Sequence, residues 1–350
     1  MQVYNKRVAV TGGGGFIGSH LVDLLLQRGN EVVVIDDFSS GSPRNLEHHC
    51  GHRELRVVSA DIRDENALHT QFQGIDVVFH LATRNVRLSL VQPTIVHDVN
   101  TTGALNVLKA AAATKVSRLL YCSSSEVNGT ADIVPMPEDY HFRPETIYGA
   151  SKLAGEYYAT VFHRAGWLPT IIARPHNNYG PREHYQGTRG EVIPRFILWG
   201  MMGRPLLIHG DGKQTRDFTY VTETVDYLVR LVETNDSVGR AFNVCRGEEV
   251  SIMDLANLVR ELTGAKSPIV HLPGRPSDVH RLCGDPSRLR SVLGDSPTIS
   301  IREGLKKTIA WFRERVPLDS ATLNSLDAQN WICESPEPWL GKLKTQTAAA

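Results

Sequence analysis

A tyrosine and a lysine spaced four residues apart could perform acid–base chemistry. In the stretch YGASK, Tyr148 and Lys152 would lie one helical turn apart on the same face of a helix. Of the ten tyrosines, Tyr148 alone is followed four residues later by a lysine. An ammonium group beside a phenol favours the phenolate, so the pair predicts a lowered tyrosine pKa and a base for a hydroxyl proton. The spacing by itself is equally compatible with a contact on a helix surface.

Serines and a glutamate form a second polar cluster, at the end of a predicted strand. The stretch SSSEVNG places Ser124, Ser125 and Glu126 where an apolar run stops. A carboxylate at this position could act as a base toward a bound substrate. It could instead cap the following turn or face solvent, and the residues alone leave both roles open.

A glycine-rich turn predicts the cofactor. The stretch VAVTGGGGFIGSHL places Gly12, Gly15 and Gly18 between a strand and a helix, where the backbone can approach a pyrophosphate and the helix N-terminus offers unpaired N–H groups. About 20 residues on, Asp36 and Asp37 can accept hydrogen bonds from ribose hydroxyls and would repel a 2′-phosphate. The pattern therefore predicts NAD rather than NADP. Further residues expected beside the dinucleotide are Phe16, Ile17, Asp61, Ile62, Leu81 and Ala82.

Short apolar strands alternate with amphipathic helices through the first half of the chain. Because strands separated by helices form parallel sheets covered on both faces, we predict an α/β fold: a doubly wound parallel sheet (Rossmann) with a smaller C-terminal substrate-binding lobe. The predicted strands are Arg7–Thr11, Glu31–Asp36, Leu55–Ala60, Asp76–Leu81, Arg118–Ser123, Leu168–Ala173 and Ala241–Val244. The predicted helices are Phe16–Arg28, Arg63–Phe72, Pro93–Ala113, Ile147–Arg164, Ser251–Leu262 and Ile301–Arg313.

The change in regularity after Pro181 predicts the domain boundaries. Residues 1–180 would form the NAD-binding domain, and residues 217–245 would return to it. Residues 181–216 and 246–316 would form the substrate-binding lobe, and residues 317–350 a polar C-terminal tail.

Composition excludes several classes of function. The 350 residues carry 38 basic and 38 acidic side chains, so neither nucleic acid nor an anionic membrane is an expected partner. The five cysteines have no metal-ligand or disulfide-framework spacing, so we expect no metal site and a reducing, cytoplasmic location. No apolar run approaches the roughly 18 residues of a membrane span.

Together the motifs resemble those of the extended short-chain dehydrogenase/reductases that act on nucleotide sugars, the NAD-dependent epimerase/dehydratase family. The resemblance covers about Arg7 to Arg315. It is carried by the stretches TGGGGFIG, VIDDFSSG, DI at Asp61, FHLA at Phe79, DVNTTGALNVLKAA, SSSEVNG, YGASK, RPHNNYGP, GDGKQTRDFTYV and GRPSDVHR.

The resemblance implies roles for individual residues. Ser124, Tyr148 and Lys152 would be catalytic, and Asn100 would support the proton relay or the cofactor site. The second lobe would bind a nucleotide-diphosphate sugar, and guanidinium groups suit its phosphates. The substrate contacts that it implies are Ser125, Asn177, Arg216, Arg275 and Arg281. It also implies a homodimer built on a helix pair that includes Ile147–Arg164.

Glu126 favours one reaction within this family. The 4,6-dehydratases and uronic-acid decarboxylases resemble this chain in placing a glutamate there, whereas simple 4-epimerases usually do not. Oxidising C4 of the sugar acidifies the hydrogen on C5, which Glu126 could then remove so that the C6 hydroxyl leaves as water. The expected activity is therefore an NAD-dependent nucleotide-sugar 4,6-dehydratase. The register of Arg281, counted back from Asp285, also resembles dehydratases more than decarboxylases.

Three alternatives to the dehydratase remain open. The first is a UDP-sugar or UDP-uronic acid 4-epimerase, in which Glu126 would have no chemical role, and the second is a UDP-glucuronic acid decarboxylase. The last is a catalytically silent NAD-sensing protein of the same fold. Ser125 stands where dTDP-glucose dehydratases carry an acid, and residues 182–196, with His184, Tyr185 and Glu191, match no single activity.

Overall fold

Strands and helices alternate through the first half of the chain and less regularly after it. The structure, a computed structural model, describes residues 1–275, 278–294, 299–326 and Glu337. Its strands are β1 (Arg7–Thr11), β2 (Glu31–Asp36), β3 (Leu55–Ser59), β4 (Val77–His80), β5 (Arg118–Cys122), β6 (Thr170–Pro175), β7 (Asn177–Tyr179), β8 (Leu206–His209), β9 (Thr215–Arg216), β10 (Phe218–Tyr220), β11 (Ala241–Val244), β12 (Val250–Ser251) and β13 (Ile269–Leu272). Its helices are α1 (Phe16–Gln27), α2 (Glu65–Gln71), α3 (Val86–Ser89), α4 (Pro93–His97), α5 (Ala104–Ala113), α6 (Ile147–Arg164), α7 (Val192–Met201), α8 (Val221–Glu233), α9 (Ile252–Thr263), α10 (Ser287–Leu293), α11 (Ile301–Arg315) and α12 (Ser320–Asn324).

Seven strands form one parallel sheet, in the order β11-β6-β5-β4-β1-β2-β3. The chain runs outward in one direction from β1 to β3 and then in the other from β4 to β11. Ligands bind at such a reversal, outside the carboxyl ends of the strands. The predicted fold class is confirmed. Strand β11, although it comes after the C-terminal lobe has begun, returns to this sheet and pairs with β6.

Apolar side chains cover both faces of this sheet. On one face α1 packs over β1 and β2, and α8 packs over β5 and β6, through residues such as Leu21, Leu25 and Leu228. On the other face α2, α5 and α6 pack through residues such as Leu68, Val107 and Phe162. Because both faces are covered, the central strands read as continuous apolar runs instead of alternating ones.

The C-terminal lobe has an apolar core of its own. It is formed by α7, α9, α11 and the parallel pair β8 and β13. The domain boundaries stay a prediction, although α12 and the buried Leu326 show that the predicted tail begins with ordered structure. The rest of that tail, apart from Glu337, lies outside the described residues. None of the described helices is long and apolar enough to cross a membrane.

The helix predicted over Pro93–Ala113 is interrupted. A π-helical turn, Asp98–Gly103, separates α4 from α5. The wider turn directs Asn100 inward, where its side chain bonds the backbone N–H and carbonyl of Arg84 and the hydroxyl of Ser151. The sequence predicted the helical region correctly but not this local widening.

A buried ion pair joins α6 to β6, and breaking it is expected to be strongly destabilising. Arg174 donates to both carboxylate oxygens of Glu156 at 2.8 and 2.7 Å, and the two side chains are 3% and 5% exposed. Glu156→Gln should lower the free energy of unfolding by about 3–5 kcal/mol, because a buried guanidinium loses its counter-charge. Urea unfolding measures this. Glu65→Gln, which breaks an exposed pair with Lys109, should cost no more than about 1 kcal/mol.

Candidate active site

The glycine turn between β1 and α1 has the geometry of a pyrophosphate site. Gly12 has a φ of +75°, and a Cβ there would lie 2.6 Å from the backbone N of Ala82. A Cβ on Gly18 would lie 2.1 Å from the carbonyl oxygen of Gly12. None of the side chains that the structure describes caps α1, so the N–H groups of its first turn are available to an anion. Phe16 to Gly18 line the cavity. The turn therefore fits a dinucleotide.

The adenosine end of the cavity is marked by acidic side chains. The two carboxylate oxygens of Asp36 accept hydrogen bonds from the backbone N–H groups of Gly14 and Phe38, both at 2.8 Å. Burial raises the pKa of Asp36, and these N–H groups oppose the rise. Asp37, Asp61 and Ile62 line the same end. Each oxygen of Asp36 has a further lone pair, so the predicted ribose contact fits.

Ser124, Tyr148 and Lys152 are brought together where β5 ends beside α6. The hydroxyl of Tyr148 is hydrogen-bonded to Ser124, which follows β5. Lys152 lies one turn along α6, is 2% exposed, and holds its ammonium 4.7 Å from the ring centre of Tyr121. All three line the cavity, and their catalytic roles stay a prediction.

The pKa of Tyr148 runs against the sequence prediction. Burial raises it above the ordinary value, and the hydrogen bond with Ser124 opposes that rise without overcoming it. The prediction of a lowered pKa counted the charge of Lys152 but not the loss of hydration.

We expect turnover to fall as pH rises through about 8, because burial lowers the pKa of Lys152 to about 8. The ammonium that favours the phenolate is present below that pH and is lost above it. Single-turnover rates of dinucleotide reduction measured against pH test this. Lys152→Arg keeps its charge and should move the alkaline limb to higher pH, even at a lower rate. An unmoved limb would assign it to another group.

Glu126 faces the cavity from a short 3₁₀ turn, Ser125–Val127. The turn is held by the backbone N–H of Glu126, which donates to the Ser124 hydroxyl at 3.2 Å. Burial raises the pKa of the Glu126 carboxyl, while the charges of Arg216 and Arg275 oppose the rise. Among the described residues Glu126 has no ion-pair partner. The alternative in which this side chain points to solvent does not hold.

The predicted substrate arginines separate into two groups. Arg216 and Arg275 line the cavity and share Asp278, which lies 2.9 Å from the Arg216 guanidinium. Arg281 lies outside the cavity lining, is 42% exposed, and donates to both oxygens of Glu249. Its contact with a substrate therefore stays a prediction, which would require the pair with Glu249 to rearrange. Ser125 and Asn177 do line the cavity.

Asn100 lies behind the cavity instead of in its lining. Its amide joins Arg84 to Ser151, the residue before Lys152. Asn100 can therefore fix the position of Lys152 on α6 without touching a ligand.

The sequence missed a segment that crosses the cofactor cleft, residues 182–191, called the strap below. Its Arg182 donates to the Asn45 carbonyl at 3.0 Å, and its Arg189 donates to the Ser40 carbonyl at 2.9 Å. Arg87 on α3 donates to the Thr188 carbonyl at 2.8 Å and is ion-paired with Glu191. The strap thus bridges the loops on both sides of the dinucleotide end. No short motif signals such long-range contacts.

Part of the cavity is lined by aromatic and apolar side chains of the C-terminal lobe. They include Phe196 and Trp199 of α7 and residues of strand β8. The guanidinium of Arg195 stacks 4.6 Å from the centre of the Trp199 ring. Aromatic side chains can stack against a planar ring. Sequence reasoning did not single out these residues, because they look like ordinary core positions.

Comparison with known proteins identifies the family to which this cavity and fold belong. The sequence model of the NAD dependent epimerase/dehydratase family matches residues 8–245. The chain belongs to this family. The family resemblance that the sequence motifs indicate is thereby confirmed.

Curated relatives and solved structures of the family extend the match over most of the chain. UDP-glucuronic acid decarboxylase 1 of Xenopus tropicalis is 34% identical over 89% of this chain and 73% of its own length. UDP-N-acetyl-alpha-D-glucosaminuronate decarboxylase of Bacillus cytotoxicus is 34% identical over 88% and 98%. The epimerase Mth375 of Methanothermobacter thermautotrophicus is 35% identical, with a TM-score of 0.85 over 89% of this chain and 93% of that one. DesIV of Streptomyces venezuelae, a dTDP-glucose 4,6-dehydratase with NAD bound, is 30% identical, with a TM-score of 0.84 over 88% and 97%.

These matches establish that this family member is an enzyme and that its cofactor is NAD. The predicted cofactor is confirmed. The relatives perform decarboxylation, epimerisation and dehydration, so membership alone does not choose among the three reactions.

Proposed function

We propose that the protein decarboxylates a UDP-uronic acid by transient oxidation at C4. Tyr148, assisted by Ser124 and Lys152, would take the proton of the C4 hydroxyl. NAD, which the glycine turn and Asp36 would hold, would supply a reversible hydride acceptor for C4 and a positive charge that favours the phenolate of Tyr148. The resulting 4-keto sugar is a β-keto acid, whose C5–C6 bond breaks to release carbon dioxide and leave an enolate. Glu126 would then protonate C5.

The observation that carries this proposal is the position of Glu126, together with the raised pKa of its carboxyl. Its carboxyl lies in the cavity beside the Ser124–Tyr148 pair, and burial raises its pKa. A second carboxylate, that of the uronic acid, would raise the pKa further, because two like charges in one site disfavour each other. A protonated Glu126 is the donor that the C5 enolate requires.

The number of available acids favours decarboxylation over the 4,6-dehydration expected from the sequence. Dehydration needs a base at C5 and an acid for the departing C6 hydroxyl. Among the carboxyl groups that line the described cavity at this end, Glu191 is ion-paired with Arg87, and Asp278 with Arg216 and Arg275. Glu126 would have to act in both roles, since a serine at position 125 is a poor acid. The decarboxylase relatives add support.

The 4,6-dehydratase remains the second candidate because of how the arginines are paired. Arg216 and Arg275 already share the charge of Asp278, which weakens their attraction for a uronate carboxylate. A neutral hydroxymethyl group at C6 needs no such partner. The 4-epimerase is the third candidate, and the similarity to Mth375 supports it.

Incubation of the NAD-loaded protein with separate nucleotide sugars, followed by mass spectrometry, tests the proposal. UDP-glucuronic acid and UDP-N-acetylglucosaminuronic acid should lose carbon dioxide. Loss of water from a UDP-, dTDP-, GDP- or CDP-hexose would instead support dehydration. Unchanged mass with altered retention would support epimerisation, and no turnover of any sugar would revive a non-catalytic role.

We also propose a homodimer through α6. Its surface carries the apolar stripe Ile147, Ala150, Ala154, Tyr157 and Val161, of which Tyr157 and Val161 are more than half exposed. Such a stripe at helical spacing suits packing against a second copy. A monomer in analytical ultracentrifugation would exclude this. A cytoplasmic location stays a prediction.

A further inference from the structure

Three potential metal ligands converge away from the active site, on the outer side of α1. His48 and His49 end the 3₁₀ turn Pro43–His49, and Asp23 lies on α1. The Nε2 atoms of His48 and His49 lie 2.8 and 2.7 Å from the same Oδ1 atom of Asp23. One donor atom of each residue lies within 4.8 Å of the other two. No motif in the sequence predicts this cluster, because Asp23 is 25 residues away from His48.

We propose that Asp23, His48 and His49 bind a divalent transition-metal ion of the Zn²⁺ type. Two imidazole nitrogens and one carboxylate oxygen are a preferred donor set for Zn²⁺, at about 2.0–2.2 Å from each ligand. The present spacing needs small side-chain rotations to admit an ion, with loss of the two imidazole-to-carboxylate hydrogen bonds. The His48 side chain is 48% exposed, so water can complete the coordination. This site is independent of the proposed reaction.

The surrounding charges set an upper limit on the affinity. Arg182 of the strap donates to the other carboxylate oxygen of Asp23, and it also contacts His20 Nδ1 at 2.6 Å. The guanidinium competes for the charge of Asp23 and repels a nearby cation. The site should therefore bind an exchangeable ion more weakly than a closed four-ligand structural site does.

An ion at this position would restrain the loop that packs on the glycine turn, residues 42–49. Ser42 N–H and the Asn45 side chain both donate to the Gly14 carbonyl at 2.9 Å, just before the histidines. Arg182 holds the Asn45 carbonyl from the strap. Joining α1 to this loop through a metal would restrict its opening, so bound Zn²⁺ should slow the release of NAD.

Titration calorimetry of tag-free, NAD-loaded protein with zinc chloride tests the site. A Cys50→Ser background removes the exposed thiol as a competing ligand. We expect saturable binding of one ion per chain.

His48→Ala and His49→Ala should each weaken Zn²⁺ binding by about tenfold or more. His69→Ala, which removes an exposed imidazole on α2, should leave it unchanged. Co²⁺ should give visible absorption bands of a nitrogen- and oxygen-ligated ion, lost in His49→Ala.

Arg182→Gln separates a built site from adventitious binding to surface histidines. Removal of the competing guanidinium should tighten Zn²⁺ binding several-fold, whereas scattered surface sites would not respond. Absence of saturable binding, or equal weakening by His69→Ala and His49→Ala, would overturn the proposal. An NAD release rate that Zn²⁺ leaves unchanged would overturn the proposed effect on the cofactor loop.

Discussion

Tyr148→Phe is expected to reduce turnover of every nucleotide sugar by about 10²–10⁴-fold, the usual range for losing a general acid–base group. Each of the three candidate reactions begins with oxidation at C4, and the Tyr148 hydroxyl, bonded to Ser124, is the group placed to take the C4 proton. Reduction of the bound dinucleotide, followed by its absorbance in a single turnover, reports this step before any later chemistry.

A tyrosine on the same helix provides the matched control. Tyr157 lies outside the cavity lining, on the face of α6 proposed for the dimer contact, and Tyr157→Phe keeps its apolar ring, so dinucleotide reduction should be unchanged. Normal reduction by Tyr148→Phe would contradict the assigned base and, with it, the proposed mechanism. Thermal unfolding of both variants shows whether either change disturbs the fold.

Glu126→Gln is expected to slow formation of the final product, by decarboxylation or by dehydration, by about 10²-fold or more while C4 oxidation continues. The substitution keeps the shape of the side chain and removes its proton chemistry. The reduced dinucleotide and a 4-keto sugar should therefore accumulate, detectable by absorbance and mass spectrometry. Glu145→Gln is the control, because Glu145 is exposed and bonds the Thr130 backbone N–H outside the cavity lining. Unimpaired turnover by Glu126→Gln would instead support a 4-epimerase.

The pH dependence of the wild-type enzyme distinguishes the two roles of Glu126. Burial raises its pKa, so the protonated form persists to higher pH than for an exposed glutamate. As the acid of a decarboxylase, Glu126 would lose activity as pH rises through this raised pKa. As the C5 base of a dehydratase, it would lose activity as pH falls through it. The two profiles slope in opposite directions over the same range, and Glu126→Gln should abolish that limb.

Much of the fold and of the cofactor site could be predicted because the signals are local. Apolar runs separated by helices specify a parallel sheet, and the carboxyl ends of its strands meet at one edge. That rule alone brings Gly12, Asp36 and Ser124 together from three separate strands. The four-residue spacing of Tyr148 and Lys152 likewise fixes their common face on α6 before any tertiary contact forms.

The tertiary structure decided the properties that depend on contacts between distant segments of the chain. Arg281 matched a family motif, yet its guanidinium pairs with Glu249 outside the cavity. The raised pKa of Tyr148 follows from hydration lost on folding, which no spacing of charges reveals. The strap and the Asp23, His48 and His49 cluster join residues far apart in the chain. Sequence patterns determine which groups share a helix face or a sheet edge, whereas burial and long-range pairing arise only when the whole chain packs.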